Sequence, residues 1–244
     1  MLWALLFLAG VWAGAQNALA GGGSFITLPA LIAAGLDPRA ANITSTIALF
    51  PGQVTTGWAG RSLVAGAERL SFRALAIISL IGGVAGAFLL LRTPSAVFAA
   101  MVPWLVLAAT ALFAWSSFGP QPKVARAPPA WVSALIQGII ALYGGFFGGG
   151  AGIMTLAALT LARMPVRNAA GTKNVLVALA NISAAAVFAW SGDVAWLYAL
   201  AIGAGSMAGG YAGALALKRV PVKALKIGVV VIGVALTVGL FLRG

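Results

Sequence analysis

The stretch Ala18-Leu19-Ala20-Gly21-Gly22-Gly23-Ser24-Phe25-Ile26 sets three glycines between two strongly apolar runs. Each glycine costs about 1 kcal/mol relative to alanine in a helix interior, so the sequence predicts a break here. The apolar run around the break covers residues 1–36, about 36 positions. As one straight helix it would be about 54 Å long, against a hydrocarbon layer of about 30 Å. Two pieces of about 16 residues would each be too short to cross comfortably. The run therefore either crosses a membrane once, long and broken, or enters and turns back as a re-entrant hairpin.

Composition makes a membrane the solvent. Apolar residues occupy 62% of the 244 positions and charged residues only 7%, whereas a soluble domain carries roughly 25% charged residues. The net charge of +12 rests on 15 basic residues against Asp37, Glu68 and Asp193. Those basic residues are scattered between apolar spans, which points to topology-setting loops and anionic head groups, not to nucleic acid. The chain holds neither cysteine nor histidine. Disulfides, thiolate ligands and the usual neutral-pH acid–base group are thus excluded, and no cofactor, metal or enzymatic nucleophile–base pair is expected. The first apolar run ends in small residues like a signal peptide, but no basic residue precedes it. It is read as mature structure, because the same pattern returns later.

It returns 128 positions on. Gly21 and Gly22 fall on Gly149 and Gly150, Thr27 on Thr155, Arg39 on Arg167, Thr44 on Thr172, and Gln53 on Asn181. With one residue slipped, Arg92 and Pro94 fall on Arg219 and Pro221. The chain reads as a first transmembrane repeat (1–118), a proline-rich basic linker (119–130) and a second repeat (131–244). Each repeat holds a glycine-broken run (1–36, then 131–162) and three ordinary spans: 40–60, 71–91 and 95–117, then 168–191, 194–217 and 223–242.

Charge chooses between the two readings of the broken runs. If each run crosses once, the basic residues divide eight against six between the two sides. If each is a hairpin, loops 61–73, 119–130, 163–167 and 218–226 share one side with eleven basic residues. The other side then keeps Arg39, Arg92 and Arg243, and Lys173 lies within a span. That asymmetry is what the positive-inside rule asks for. It leaves three crossings per half, so the halves are expected to be inverted relative to each other, with both termini outside. The expected fold is an all-α integral membrane protein of two inverted repeats, each a re-entrant hairpin plus three transmembrane helices. Inverted repeats with discontinuous helices are a common transporter architecture.

Irregular backbone at membrane depth is tolerated only where it is buried in protein or lines a watery cavity. The two breaks would bring two helix N-termini to mid-membrane, where unpaired N–H groups and the positive dipole end favour an anion. The competing explanation is that the glycines only let helices pack closely.

The motif "NALAGGGSFITLPALIAAGLDPRAANITST" (17–46) resembles the first half of the sulfite exporter TauE/SafE family of membrane transporters, and "GGFFGGGAGIMTLAAL" with "VRNAAGTKN" resembles its second half. The resemblance spans essentially the whole chain. It implies a multi-pass protein of the bacterial inner membrane that moves sulfite or small organosulfonate anions, generally outward. Its partners would be that sulfur oxyanion and the lipid bilayer, with the oligomeric state open, a homodimer included. Two alternatives stay open: a transporter of the same fold for another small organic or organosulfur anion, uptake included, and a non-transporting membrane subunit.

Independently of the resemblance, hydrogen-bond donors without negative charge gather around the breaks. Candidate substrate-binding residues are Asn17, Gly21, Gly22, Gly23, Ser24, Thr27, Thr44 and Gln53 in the first half. In the second they are Gly148, Gly149, Gly150, Thr155, Thr172, Lys173, Asn174 and Asn181. Gln16 flanks the first break. Lys173 either faces the cargo or snorkels to the cytoplasmic side. Arg39 and Arg167 are expected to be interfacial anchors, with an anion-attracting vestibule as the alternative. Trp3, Trp58, Trp104, Trp115, Trp131, Trp190 and Trp196 fall near span ends, as aromatic belts do; Trp12 falls mid-span and is expected to pack in the core. All three carboxylates fall in loops, which argues against a fixed proton relay in the membrane.

Overall fold

A computed structural model describes residues 1–19, 21–59, 61–119, 127–216 and 222–243. Residues 120–126 of the linker, residue 217 and residues 218–221 of the loop 218–226 lie outside the described residues, and with them Lys123, Arg126, Lys218 and Arg219.

The chain forms α1 (Leu2–Leu19), α2 (Ser24–Ala33), α3 (Pro38–Ala59), α4 (Phe72–Arg92), α5 (Ser95–Phe118), α6 (Ala130–Phe146), α7 (Ala151–Leu161), α8 (Val166–Phe188), α9 (Trp196–Ala216) and α10 (Val222–Arg243). Of these, α4, α5 and α8 are each long and apolar enough to cross a membrane. The fold is that of an all-helical membrane protein. Both broken runs divide unequally, into 18 and 10 residues in the first and 17 and 11 in the second.

Both runs fold back on themselves. A Cβ built on Gly23 would meet the Ala13 carbonyl oxygen at 2.6 Å, and one on Gly144 would meet the Ala151 Cβ at 3.2 Å. In a straight helix residues ten or seven positions apart would be about 15 or 10 Å apart. The reversals need backbone that only glycine adopts cheaply: φ is +85° at Gly22 and +83° at Gly150.

The halves pack in matched pairs. α1 lies on α9 as α6 lies on α4; α3 meets α9 as α8 meets α4; α2 meets α3 as α7 meets α8; α3 pairs with α8, and α5 with α10. Each hairpin's long arm thus rests on the opposite half. Small residues make this close approach: Gly10 and Gly14 of α1 face Ile202 and Ser206 of α9, and Gly86 of α4 faces Leu142 of α6, each with a backbone carbonyl where a Cβ would stand. Carbonyl-to-glycine contact of this kind drives helix association where burial of apolar surface cannot. Close packing therefore accounts for these glycines, and Gly21, Gly22, Gly148 and Gly150 of the breaks are distinct from them in their positive φ.

Bulky apolar residues point outward instead. α4 buries Ser79, Gly82, Gly83, Gly86 and Ala87 but exposes Ile77, Ile81, Phe88 and Leu89. All eight tryptophans are exposed, including Trp12 at 61%. The expectation that Trp12 packs in the core is therefore wrong: a large ring in α1 faces outward because the inner face of that helix is reserved for Gly10 and Gly14 against α9.

Candidate functional site

The tips of the two hairpins meet at the centre of the helical bundle. A Cβ on Gly148 would lie 3.7 Å from Ser24 Oγ and 3.9 Å from Thr46 Oγ1. One on Gly149 would lie 3.2 Å from the Phe25 ring, and one on Gly21 would lie 3.7 Å from Ile153 Cγ1. The Phe25 and Phe147 rings are fully buried next to Gly149 and line the junction with apolar surface. Two helix N-termini, those of α2 and α7, thus start from one region.

The first break is filled by its own side chains. The Asn17 Oδ1 accepts from the Gly23 N–H at 2.7 Å, and Gln16 Nε2 donates to the Gly22 carbonyl at 3.0 Å. Thr27 shares a buried hydrogen bond with Ser45 of α3. The second break is held from outside: Asn42 of α3 donates from Nδ2 to the Phe146 carbonyl at 3.0 Å. Thr155 donates to Ala151 O at 2.9 Å, within its own helix.

Five other candidates lie away from the tips. Thr44 accepts from the Ala195 N–H at 3.1 Å, and Thr172 accepts from the Ala65 N–H at 3.0 Å. These repeat-related threonines tie the starts of α3 and α8 to the loops leading into α9 and α4. Gln53 and Asn181 bond to each other between α3 and α8. Asn174, half-buried on α8, presents its backbone to Gly57 of α3.

Lys173 is 6% exposed. Its stem runs beside the first turn of α7, with Cδ 3.7 Å from the place a Cβ of Gly152 would take. The arginines differ from each other. Arg39 reaches Asp193 at 3.0 Å and also donates to the Thr93 carbonyl at 3.2 Å, so it staples the start of α3 to the end of α4 and the loop before α9. Arg167 is exposed.

The sulfite exporter TauE/SafE family model covers residues 6–240. The chain belongs to the TauE/SafE family. It is 32% identical to the "Probable membrane transporter protein ORF9" of Sinorhizobium over 98% of this chain and 92% of that protein. It is 30% identical to a "Probable membrane transporter protein" of Haemophilus influenzae over 87% of this chain and 84% of that one. YfcA of Escherichia coli K12 is 29% identical over 80% and 73%. No solved structure matches the chain. As a TauE/SafE protein this is a membrane transporter.

Several residues that shape the junction escaped the list of candidates, among them Gly152, Ser45, Phe25 and Phe147. The shift of 128 carries a signal for two of them: it pairs Gly152 with Ser24 and Ser45 with Lys173.

Proposed function

We propose that this TauE/SafE protein is a secondary transporter that exports sulfite or small organosulfonate anions across the cytoplasmic membrane, binding the anionic head at mid-membrane where the two breaks meet. The observation that carries this reading is the contact of the two hairpin tips, with Ser24 beside Gly148 and Phe25 beside Gly149. Helix N-termini present unpaired N–H groups and a positive dipole end, and the side chains around them are neutral donors or cationic. Asp37, Glu68 and Asp193 all sit in loops away from the tips.

In this reading the repeats are inverted, the termini lie outside and the hairpins enter from opposite faces, as the basic loops suggest. The resting potential, negative inside, then drives an anion outward with about 2.3 kcal/mol per charge per 100 mV. The neutral donors suit three exposed oxygens of a sulfite or sulfonate head, because each oxygen accepts hydrogen bonds and none needs to donate one.

The test is efflux of radiolabelled sulfite from proteoliposomes, with sulfoacetate and thiosulfate as competitors. Protein-dependent efflux that these anions inhibit supports the reading. Sulfite retained as in protein-free vesicles would contradict it.

A further inference from the structure

The two breaks are equivalent in register but differ in what surrounds them. In the first, Gln16 and Asn17 are bonded to Gly22 and Gly23 at 3.0 and 2.7 Å. The positions 128 residues on are Gly144 and Gly145, which have no side chain to do the same. Both α2 and α7 start from a glycine N-cap with no side chain of its own to cap the helix, so the difference between the breaks lies in Gln16 and Asn17.

A second exchange accompanies the first. In the first half Ser24 opens α2, and Ser45 of α3 bonds to Thr27. In the second half their counterparts are Gly152 and Lys173. The glycine leaves room for the lysine stem, which passes it at 3.7 Å. A serine pair has been replaced by a glycine and a cation at one place in the fold.

Among the described residues that cation has no partner. Lys173 is 6% exposed, and among the described residues it makes no ion pair or hydrogen bond. The described ion pair is Arg39 with Asp193, at the far end of α3. Burying an ammonium without a counter-charge is costly, and in membrane segments such groups mark ion and substrate pathways. An anion seated on the first turn of α7 supplies the missing charge.

We infer that the anion seat belongs to the second break alone: the first-turn amides of α7 and the Lys173 ammonium hold one anionic head. The first break is closed by Gln16 and Asn17 and serves as the opposing wall, with the Ser24 hydroxyl facing Gly148. This rests on the transport reading above and narrows it to a single cargo head per chain, counter-charged by one lysine.

Two measurements test it on the full-length protein in lipid nanodiscs, with sulfite as the probe. Hydrogen exchange of the unmodified protein should slow over 148–153 when sulfite is added, and stay unchanged over 21–26. Equal slowing at both breaks, slowing at the first alone, or no slowing in a protein that transports sulfite would overturn the single seat. In titrations, Lys173→Met should weaken sulfite binding about tenfold or more, because a desolvated charge pair loses one member. Lys173→Arg should retain part of the affinity. The double variant Gly152→Ser with Lys173→Ser places at these positions the serines that the first half carries at 24 and 45, and it should fold and lose binding to the same degree. Wild-type affinity in Lys173→Met or in the double variant would overturn the role of the lysine and leave the transport reading standing. If sulfite, sulfoacetate and thiosulfate neither bind nor move in the wild type, the transport reading fails and the seat with it.

Discussion

Asn181 donates from Nδ2 to Gln53 Oε1 at 2.6 Å, and the two residues are 128 positions apart, the period of the repeat. The bond joins α3 to α8, and the second hairpin tip reaches the same two helices through Gly148 beside Thr46 and Gly152 beside Lys173.

Because both partners are buried, losing either strands the other. Gln53→Leu and Asn181→Leu should each lower stability by about 1–3 kcal/mol, the cost of an orphaned buried polar group. The double variant should lose less than the sum, with a coupling on the order of 1 kcal/mol. Detergent-solubilised unfolding curves of the four proteins measure this, and additive losses would mean that the bond contributes nothing.

Arg39 should matter more than its salt bridge. The pair with Asp193 is partly open to solvent, with side chains 22% and 33% exposed, so Asp193→Asn should cost less than about 1 kcal/mol. Arg39→Ala also abandons the Leu91 and Thr93 carbonyls and should lower the melting temperature further. The comparison is a thermal melt of both variants; equal effects would show the carbonyl contacts to be idle.

The break glycines should tolerate less than a glycine with open space around it. At Gly22 and Gly150 an alanine meets a positive φ as well as Phe25 at 3.1 Å and Ala109 at 3.0 Å. Each alanine should cost about 1–2 kcal/mol from the left-handed conformation alone. Gly239→Ala meets nothing within 4 Å and should be neutral. Melting temperatures of the three variants decide, and a neutral Gly150→Ala would contradict the conformation described.

Topology has a direct readout because the chain contains no cysteine. Glu68→Cys and Ala189→Cys place single thiols at exposed positions in loops on either side of the proposed inverted arrangement. An impermeant maleimide should label Glu68→Cys from the cytoplasm and Ala189→Cys from outside. Labelling of both from one face would rule out inverted repeats.

The helices and the breaks were legible because membrane spans announce themselves by length and hydropathy, and triple glycines by their cost in a helix. Spans expected at 71–91 and 95–117 are α4 at Phe72–Arg92 and α5 at Ser95–Phe118. What the sequence hid was which faces meet. Nothing in Gly10-x3-Gly14 says that α1 packs on α9 and leaves Trp12 facing outward, since a small-residue stripe fits any other such stripe. Side-chain partners were hidden for the same reason. Thr44 and Thr172 stand where donors to an anion were expected, yet each accepts an N–H from a loop more than 100 residues distant. The difference between the breaks was written in the register, as Asn17 against Gly145 and Ser45 against Lys173. It acquires physical meaning only once Asn17 is seen bonded to Gly23 and Lys173 is seen alongside Gly152.

Passage of a charged anion through the joined breaks is tested most directly by current. With no carboxylate or histidine within the spans, transport should carry net charge and follow membrane potential more than a pH gradient. Reconstituted protein on a solid-supported membrane should answer a jump in sulfite concentration at alkaline pH with a displacement of negative charge. Gly150→Leu, whose side chain would cover the α7 amides, should remain monodisperse and give no current. A silent wild type, or a full current from Gly150→Leu, would contradict anion transport through this site.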